Sequence, residues 1–226
     1  MRRTALITGA NRGIGRAVAA ELHRRDLAVV VTARTAAAAG ETATEIGSGV
    51  RGFALDQSDP DSVKRARESI GPVDVLVCNA GVMLDAGTDP LTVPLDLVER
   101  TLAVNVLGSW RVAQAFVPDM VTAGWGRVVL LSSGTTTEFG GRLFLNAPGY
   151  SLSKAGVNGL MSMLAAQVEG TGVLVNAVNP GRVRTRMMPR GERDVEQAAV
   201  DIAEVATLPD GGSHGEFLRP RSQPKG

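Results

Sequence analysis

Apolar residues gather along this chain in short, nearly unbroken runs, at positions 4–8, 28–32, 50–55, 73–78, 127–131 and 173–178. Segments such as Val29-Val30-Val31 and Val173-Leu174-Val175 are rich in β-branched residues and do not alternate with polar ones. Strands buried on both faces of a parallel sheet read this way. Between the runs the period changes. Ile14, Val18 and Leu22 step by four, and Val157, Leu160, Met161 and Leu164 follow a three–four stripe, each marking one face of a helix. Strand and helix therefore alternate through most of the chain, which predicts an α/β fold built on a doubly wound parallel sheet with helices on both faces. Residues 92–123 predict one extended helix or two joined pieces, with Pro118 as a candidate bend. Gly215-Glu216-Phe217-Leu218 predicts a last strand. No repeat or linker interrupts the pattern, so residues 1–218 read as one domain and the Pro-, Ser- and charge-rich residues 219–226 as a mobile tail.

A chain of 226 residues that is 44% hydrophobic suits one substantial core. Its net charge of +1 argues against nucleic acid or an anionic membrane as partner. No apolar run approaches the roughly 18 to 20 residues of a membrane span. Ala5-Leu6-Ile7, following Met1-Arg2-Arg3, is also too short for a secretory signal. One cysteine, Cys78, allows no intrachain disulfide, and the two separated histidines make no zinc cluster, so no metal is expected. A reduced, cytoplasmic setting is the default expectation. With 27 glycines and only 4% aromatic residues, the composition favours tight helix–sheet packing and close backbone approach to a ligand.

That approach has an obvious location. The first strand runs into Thr8-Gly9-Ala10-Asn11-Arg12-Gly13-Ile14-Gly15 and then directly into an amphipathic helix. Glycines permit the tight turn and let backbone N–H groups reach a pyrophosphate, while the helix N-terminus favours negative charge. Placed between the first strand and first helix of an alternating pattern, the turn predicts a dinucleotide and makes the sheet Rossmann-type. No Gly-Lys-Ser/Thr follows, so a P-loop is excluded. The second strand ends Val31-Thr32-Ala33-Arg34, without the acid that would accept hydrogen bonds from an NAD ribose. Arg34 and Arg12 offer cations to a 2′-phosphate instead, so NADP(H) is favoured over NAD(H).

Tyr150, the only tyrosine, precedes Lys154 by four residues. At helical spacing the pair shares one face, and a cation beside a phenol lowers its pKa and makes it a usable general acid or base. Ser133 lies just past the fifth strand, where open α/β sheets bind their ligands, and its hydroxyl suits a carbonyl oxygen.

The order and spacing of these motifs resemble the short-chain dehydrogenases/reductases. The likeness rests on Thr8-Gly-x-x-x-Gly13-x-Gly15, Asp56, Asn79-Ala80-Gly81, Asn105, Ser132-Ser133, Tyr150-x-x-x-Lys154, and Pro180-Gly181 with Thr185. It covers nearly the whole chain. The resemblance implies that Gly9, Arg12, Gly13, Ile14 and Gly15 hold the pyrophosphate and adjacent ribose. It places Asp56 at the adenine amino group, Asn79 and Gly81 along the adenosine, and Pro180, Gly181, Val183 and Thr185 at the nicotinamide carboxamide. Asn105, Ser133, Tyr150 and Lys154 would form the catalytic set, with Tyr150 the proton donor, Lys154 holding the ribose and lowering the Tyr150 pKa, and Asn105 orienting a relay water. The implied activity is NADPH-dependent reduction of a ketone, aldehyde or quinone, reversible as alcohol oxidation. An NAD-dependent alcohol dehydrogenase with the same site, and a non-catalytic dinucleotide sensor on the same fold, are the alternatives. The family also implies a homodimer or homotetramer through the long helices containing Asn105 and Tyr150.

Two features depart from the family pattern. Cys78 stands where a first asparagine is common, and the stretch between Ser133 and Tyr150 is a few residues longer than usual. That extra length, within residues 135–148 and including Phe139, Leu143 and Phe144, is a candidate wall of the substrate pocket. The segment after Thr185 is short, with Met187 and Met188 at a candidate entrance, which suggests an open pocket and broad substrate tolerance.

Overall fold

Each apolar run becomes a strand, and neighbouring residues along a strand enter opposite cores. The computed structural model describes residues 2–136 and 143–219. Within them β1 (Thr4–Ile7), β2 (Ala28–Ala33), β3 (Arg51–Ala54), β4 (Val75–Cys78), β5 (Gly126–Leu131), β6 (Val173–Val178) and β7 (Phe217–Leu218) form one sheet in the order β3-β2-β1-β4-β5-β6-β7. Every pairing is parallel. Leu6, Val30, Leu76 and Leu130 face one core, and Ile7, Val31, Val77 and Val129 the other. That division explains why the inner strands show no polar alternation, whereas β3, whose run was expected to be buried on both faces, lies at the sheet edge with Arg51 and Ala54 exposed. The weakly signalled last strand is present, pairing Phe217 with Ala177 and Leu218 with Val178.

Helices cover both faces: α1 (Gly13–Arg24), α2 (Ala36–Ile46), α3 (Pro60–Ile70), α4 (Leu95–Leu102), α5 (Ser109–Ala123), α6 (Pro148–Gln167) and α7 (Val195–Ala206). Between α4 and α5 the chain stays helical but widens into a π-helical turn, Ala103–Gly108. The long segment expected over 92–123 is thus two helices fused through a π turn. Pro118 sits inside α5 without ending it; the helix stops at Gly124, in the left-handed conformation at φ 70°. The expected tail beyond residue 219 lies outside the described residues, as does Phe139.

Strand order reverses between β1 and β4. Connections leave β1 toward β2 and β3 on one side, then return to β4 on the other, opening a crevice at the carboxyl ends of the strands. No helix among the described residues is long and apolar enough to cross a membrane. No group of three or more potential metal ligands gathers among them.

Candidate active site

At the crevice, the turn after β1 is shaped by side chains that are missing. Gly9 and Gly13 have φ of 61° and 53°, which disfavours any residue with a Cβ. A Cβ on Gly9 would lie 2.8 Å from the Ala80 Cβ, and one on Gly15 would strike the Asn79 amide. Ile14 packs against the core beneath α1. Asn79 closes the turn from the neighbouring strand, its Nδ2 donating to Thr8 O at 2.8 Å and Gly9 O at 3.1 Å. Thr8 Oγ1 accepts in return from the N–H groups of Asn79 and Ala80, at 3.1 and 3.0 Å. The result is a side-chain-free cradle at a helix N-terminus, which fits a pyrophosphate.

Arg12 is the exposed residue immediately before α1, and Arg34 is exposed just past β2. Neither pairs with a carboxylate among the described residues. Arg34 lines a cavity of about 360 Å³ together with Asp56, Ser62 and Arg65. The Asp56 carboxylate holds its own loop, accepting from the Ser58 N–H at 2.9 Å and the Ser58 hydroxyl at 2.6 Å.

Across the crevice, Pro180 and Gly181 follow β6, with Gly181 at φ 80° and its N–H donating to Asn179 Oδ1 at 2.9 Å. Val183 is buried and bridges to Arg193, whose guanidinium donates to Pro180 O at 2.6 Å and pairs with Asp201. Thr185 comes close to the glycine turn: its Cγ2 lies 3.7 Å from where a Gly13 Cβ would be. Residues assigned to opposite ends of the cofactor thus meet across one cleft. The chain then turns tightly, Thr185 and Met188 exchanging backbone hydrogen bonds at 3.2 Å, which accounts for the short segment seen in the sequence.

Tyr150 and Lys154 lie in the first and second turns of α6. The Lys154 Nζ stands 5.6 Å from the Tyr150 ring centroid and donates to Leu131 O, the last carbonyl of β5, at 2.6 Å. Here the structure corrects the sequence expectation. Burial raises the Tyr150 pKa, and the opposing influence is a hydrogen bond with Ser133 rather than the lysine. Lys154 is itself perturbed, its pKa pushed down to about 8 because burial penalises the ammonium. Ser133 also anchors the following loop, its Oγ accepting from the Thr135 N–H at 3.3 Å. Cys78, where a first asparagine is common, is a buried packing residue whose thiol burial pushes up to about 12.

Asn105 sits within the π turn, 1% exposed. Its Nδ2 donates to Val82 O at 2.8 Å and to Ser153 Oγ at 2.9 Å, while its Oδ1 accepts from the Val82 N–H at 2.8 Å. The water-orienting role expected of Asn105 therefore finds both amide N–H groups already committed to protein. Around Gly81 the parts converge: a Cβ there would be 3.3 Å from Asn105 Oδ1 and 3.7 Å from Lys154 Nζ.

Two supporting residues escaped the sequence reading. Asp85, 1% exposed, caps the N-terminus of α6, accepting from the Gly149 N–H at 2.5 Å and the Tyr150 N–H at 3.3 Å. It is distant from α6 in sequence, so no local signal marks it. Ser153 lies inside the recognised run and donates to Tyr150 O at 2.7 Å while accepting from Asn105. Of the candidate pocket wall, Phe144 is tied down on both sides, its carbonyl accepting from Ser151 Oγ at 2.7 Å and its N–H donating to Thr135 O at 3.1 Å.

The sequence pattern described as short chain dehydrogenase matches residues 3–196. Oxidoreductase UcpA of Salmonella typhimurium is 35% identical over 228 residues, covering 91% of this chain and 81% of the relative. The 3-oxoacyl-[acyl-carrier-protein] reductase FabG of Aquifex aeolicus is 33% identical, covering 86% of this chain and 79% of its own. A solved short chain dehydrogenase/reductase family protein superposes with a TM-score of 0.87 at 28% identity, over 96% of this chain and 94% of that one. Sequence, sheet order and cleft agree: the chain belongs to the short chain dehydrogenase family, NAD(P)-dependent oxidoreductases acting on CH–OH and C=O groups.

Proposed function

We propose that this chain is an NADPH-dependent carbonyl reductase acting on a ketone, aldehyde or quinone in a reduced, cytoplasmic setting. The observation that carries the reading is the meeting of Ser133, Tyr150 and Lys154 at the strand ends beside the glycine cradle. When bound, the nicotinamide supplies a hydride to the carbonyl carbon. Ser133 donates a hydrogen bond to the carbonyl oxygen as negative charge develops there. Tyr150 delivers its proton to that oxygen, and the raised pKa favours the direction, because a phenol kept protonated by burial is ready to donate. Lys154 spends one N–H on Leu131 O and has two more for ribose hydroxyls and for returning a proton to the phenolate. Gly81, with no side chain, leaves space between Lys154 and Asn105 for that return. Asn105 keeps the geometry through Val82 and Ser153.

Preference for NADPH rests on the cationic, acid-free end of β2. Removing a charged hydrogen-bonding partner of a phosphate costs about 1.5–3 kcal/mol, so Arg34→Ala should weaken NADPH binding about ten- to a hundredfold and leave NADH nearly unchanged. Titrating both cofactors into both proteins tests this; tighter NADH binding by the wild type would favour an NAD-dependent alcohol dehydrogenase instead. Activity is tested on a panel of ketones, aldehydes, quinones and a 3-oxoacyl thioester, the last because a relative is named for that substrate. No turnover anywhere with either cofactor would leave a dinucleotide sensor as the better account. The short, open turn after Thr185 supports tolerance of bulky ketones, and strict selectivity across the panel would count against it. Exposed Leu107 in the π turn and Trp110 on α5, with Leu152 and Met163 on α6, support assembly with further copies of the chain. A monomer in sedimentation at micromolar concentration would refute that.

A further inference from the structure

Gln57 lies outside every motif, one residue past Asp56, yet it is 3% exposed and its amide reaches into the crevice floor. Its Nε2 donates to Ala80 O at 3.2 Å and to Val104 O at 2.8 Å. Ala80 precedes Gly81, and Val104 precedes Asn105 in the π turn. Asn105 in turn grips Val82 through both its N–H and its carbonyl. The links close into a ring running from Gln57 to Ala80, along the chain to Val82, across to Asn105, back to Val104 and so to Gln57.

The π turn explains why such a residue is needed. Widening a helix stretches its regular ladder of backbone hydrogen bonds, and two carbonyls of this turn take side-chain donors. Ser109 Oγ supplies one to Asn105 O at 2.8 Å, and Gln57 supplies the other to Val104 O. Room for it has been made. A Cβ on Gly108 would lie 2.7 Å from the Gln57 Cγ, so the glycine admits the side chain into the helix surface. Arg111 holds the Gln57 backbone from α5, donating to its carbonyl at 3.4 Å. The two carbonyls also fix which way the amide points, since its oxygen would repel both. That orientation leaves Oε1 buried without a partner. An orphaned acceptor is costly, and a leucine or methionine would fill the same space without one. Packing alone therefore does not account for an amide here; its two donors do.

We propose that Gln57 is a positioning residue for the reaction: it ties the turn carrying Gly81 to the π turn carrying Asn105, and so holds Asn105, Ser153 and the backbone of Tyr150 in register with Lys154. The inference deepens the carbonyl reductase reading for its kinetic part and stands apart from it for its structural part. It is tested on the full chain with Gln57→Leu and Gln57→Glu. Losing two neutral hydrogen bonds should accelerate amide hydrogen exchange about tenfold in residues 80–82 and 103–108 of Gln57→Leu, with β1 and β5 unchanged. With NADPH and a reducible ketone, kcat should fall about tenfold while KM for both substrates stays within about twofold. Gln57→Glu places a carboxylate against two carbonyls and should be at least as impaired at neutral pH. It should recover as the pH falls and its acid gains an O–H to donate, whereas Gln57→Leu should not. Exchange that quickens evenly through the sheet, or a rise in cofactor KM with kcat intact, would overturn the proposal. If the wild type reduces no carbonyl, the reductase reading fails by itself and the exchange pattern still decides the role of Gln57.

Discussion

The two walls of the crevice are built by opposite means. The wall after β1 is defined by what its residues lack: Gly9, Gly13 and Gly15 leave backbone exposed, and a Cβ on Gly9 or Gly15 would meet a neighbour. The wall formed by β5, the π turn and α6 is defined by buried polar side chains, with Asn105, Ser153, Lys154 and Asp85 each hydrogen-bonded to main chain. One wall makes room, and the other holds position. Damage to the first should therefore appear in binding, and damage to the second in turnover.

The largest effect expected is on the second wall. Tyr150→Phe removes the transferable proton while keeping the ring that packs beside Ser133, so kcat should fall about 10²- to 10⁴-fold. Dinucleotide affinity, measured by titration, should stay within about twofold. Equal losses in both would mean the walls are not separable. Next comes the first wall. Gly9→Ala forces a Cβ into a left-handed backbone and against Ala80, a strain of about 1–2 kcal/mol. Dinucleotide binding should weaken about five- to thirtyfold at the cradle, with kcat at saturation nearly preserved. A collapse of kcat at saturating cofactor would contradict the division.

Lys154, proposed to serve both the ribose and the proton path, sharpens the contrast through pH. Its pKa lies at about 8 in the fold against 10.5 for an ordinary lysine, lowered by burial. Below about 8 the ammonium is present in folded and unfolded chains alike, so the burial cost is fully felt. Between about 8 and 10.5 the folded chain releases its proton first, and this residue's contribution to stability rises with pH. Lys154→Met should abolish that rise in thermal denaturation. The proposed carbonyl reduction should run the other way, since loss of the ammonium would remove the proton source behind Tyr150. Its kcat/KM should fall about tenfold per pH unit above the break. A profile flat through pH 9 would remove Lys154 from the proton path.

Legibility in the sequence followed the same division. The glycine wall was readable because a conformational requirement leaves a residue-type signature at fixed spacing. The sheet was readable because its inner strands, buried on both faces, carry continuous apolar runs. Tyr150 and Lys154 were readable as a pair, but not the influence of one on the other: burial and Ser133, not spacing, set the phenol's acidity in this structure. Asn105 was found, whereas the π turn around it was not, because nothing in Ala103-Val104-Asn105-Val106 separates a π turn from an ordinary helix. Gln57 and Asp85 were invisible for a further reason. Each acts on main chain far away in sequence, and a backbone carbonyl or N–H group leaves no residue identity to pair with.

Asp85 gives the smallest effect and the finest test of how the holding wall works. It sits at the positive end of α6, accepting from the N–H groups of Gly149 and Tyr150, and so fixes where the helix carrying Tyr150 begins. Asp85→Asn keeps an acceptor oxygen but gives up the charge. It should cost about 1 kcal/mol of stability by chemical denaturation and lower kcat only a few-fold. Asp85→Ala leaves both N–H groups buried without a partner and should cost about 2 kcal/mol. If the asparagine variant behaved like the alanine one, charge would be the operative property; if it matched the wild type, hydrogen-bond geometry alone would position the helix. In either case cofactor affinity should stay put, because Asp85 holds the wall proposed to carry the reacting groups, whereas the proposed dinucleotide cradle is the glycine turn.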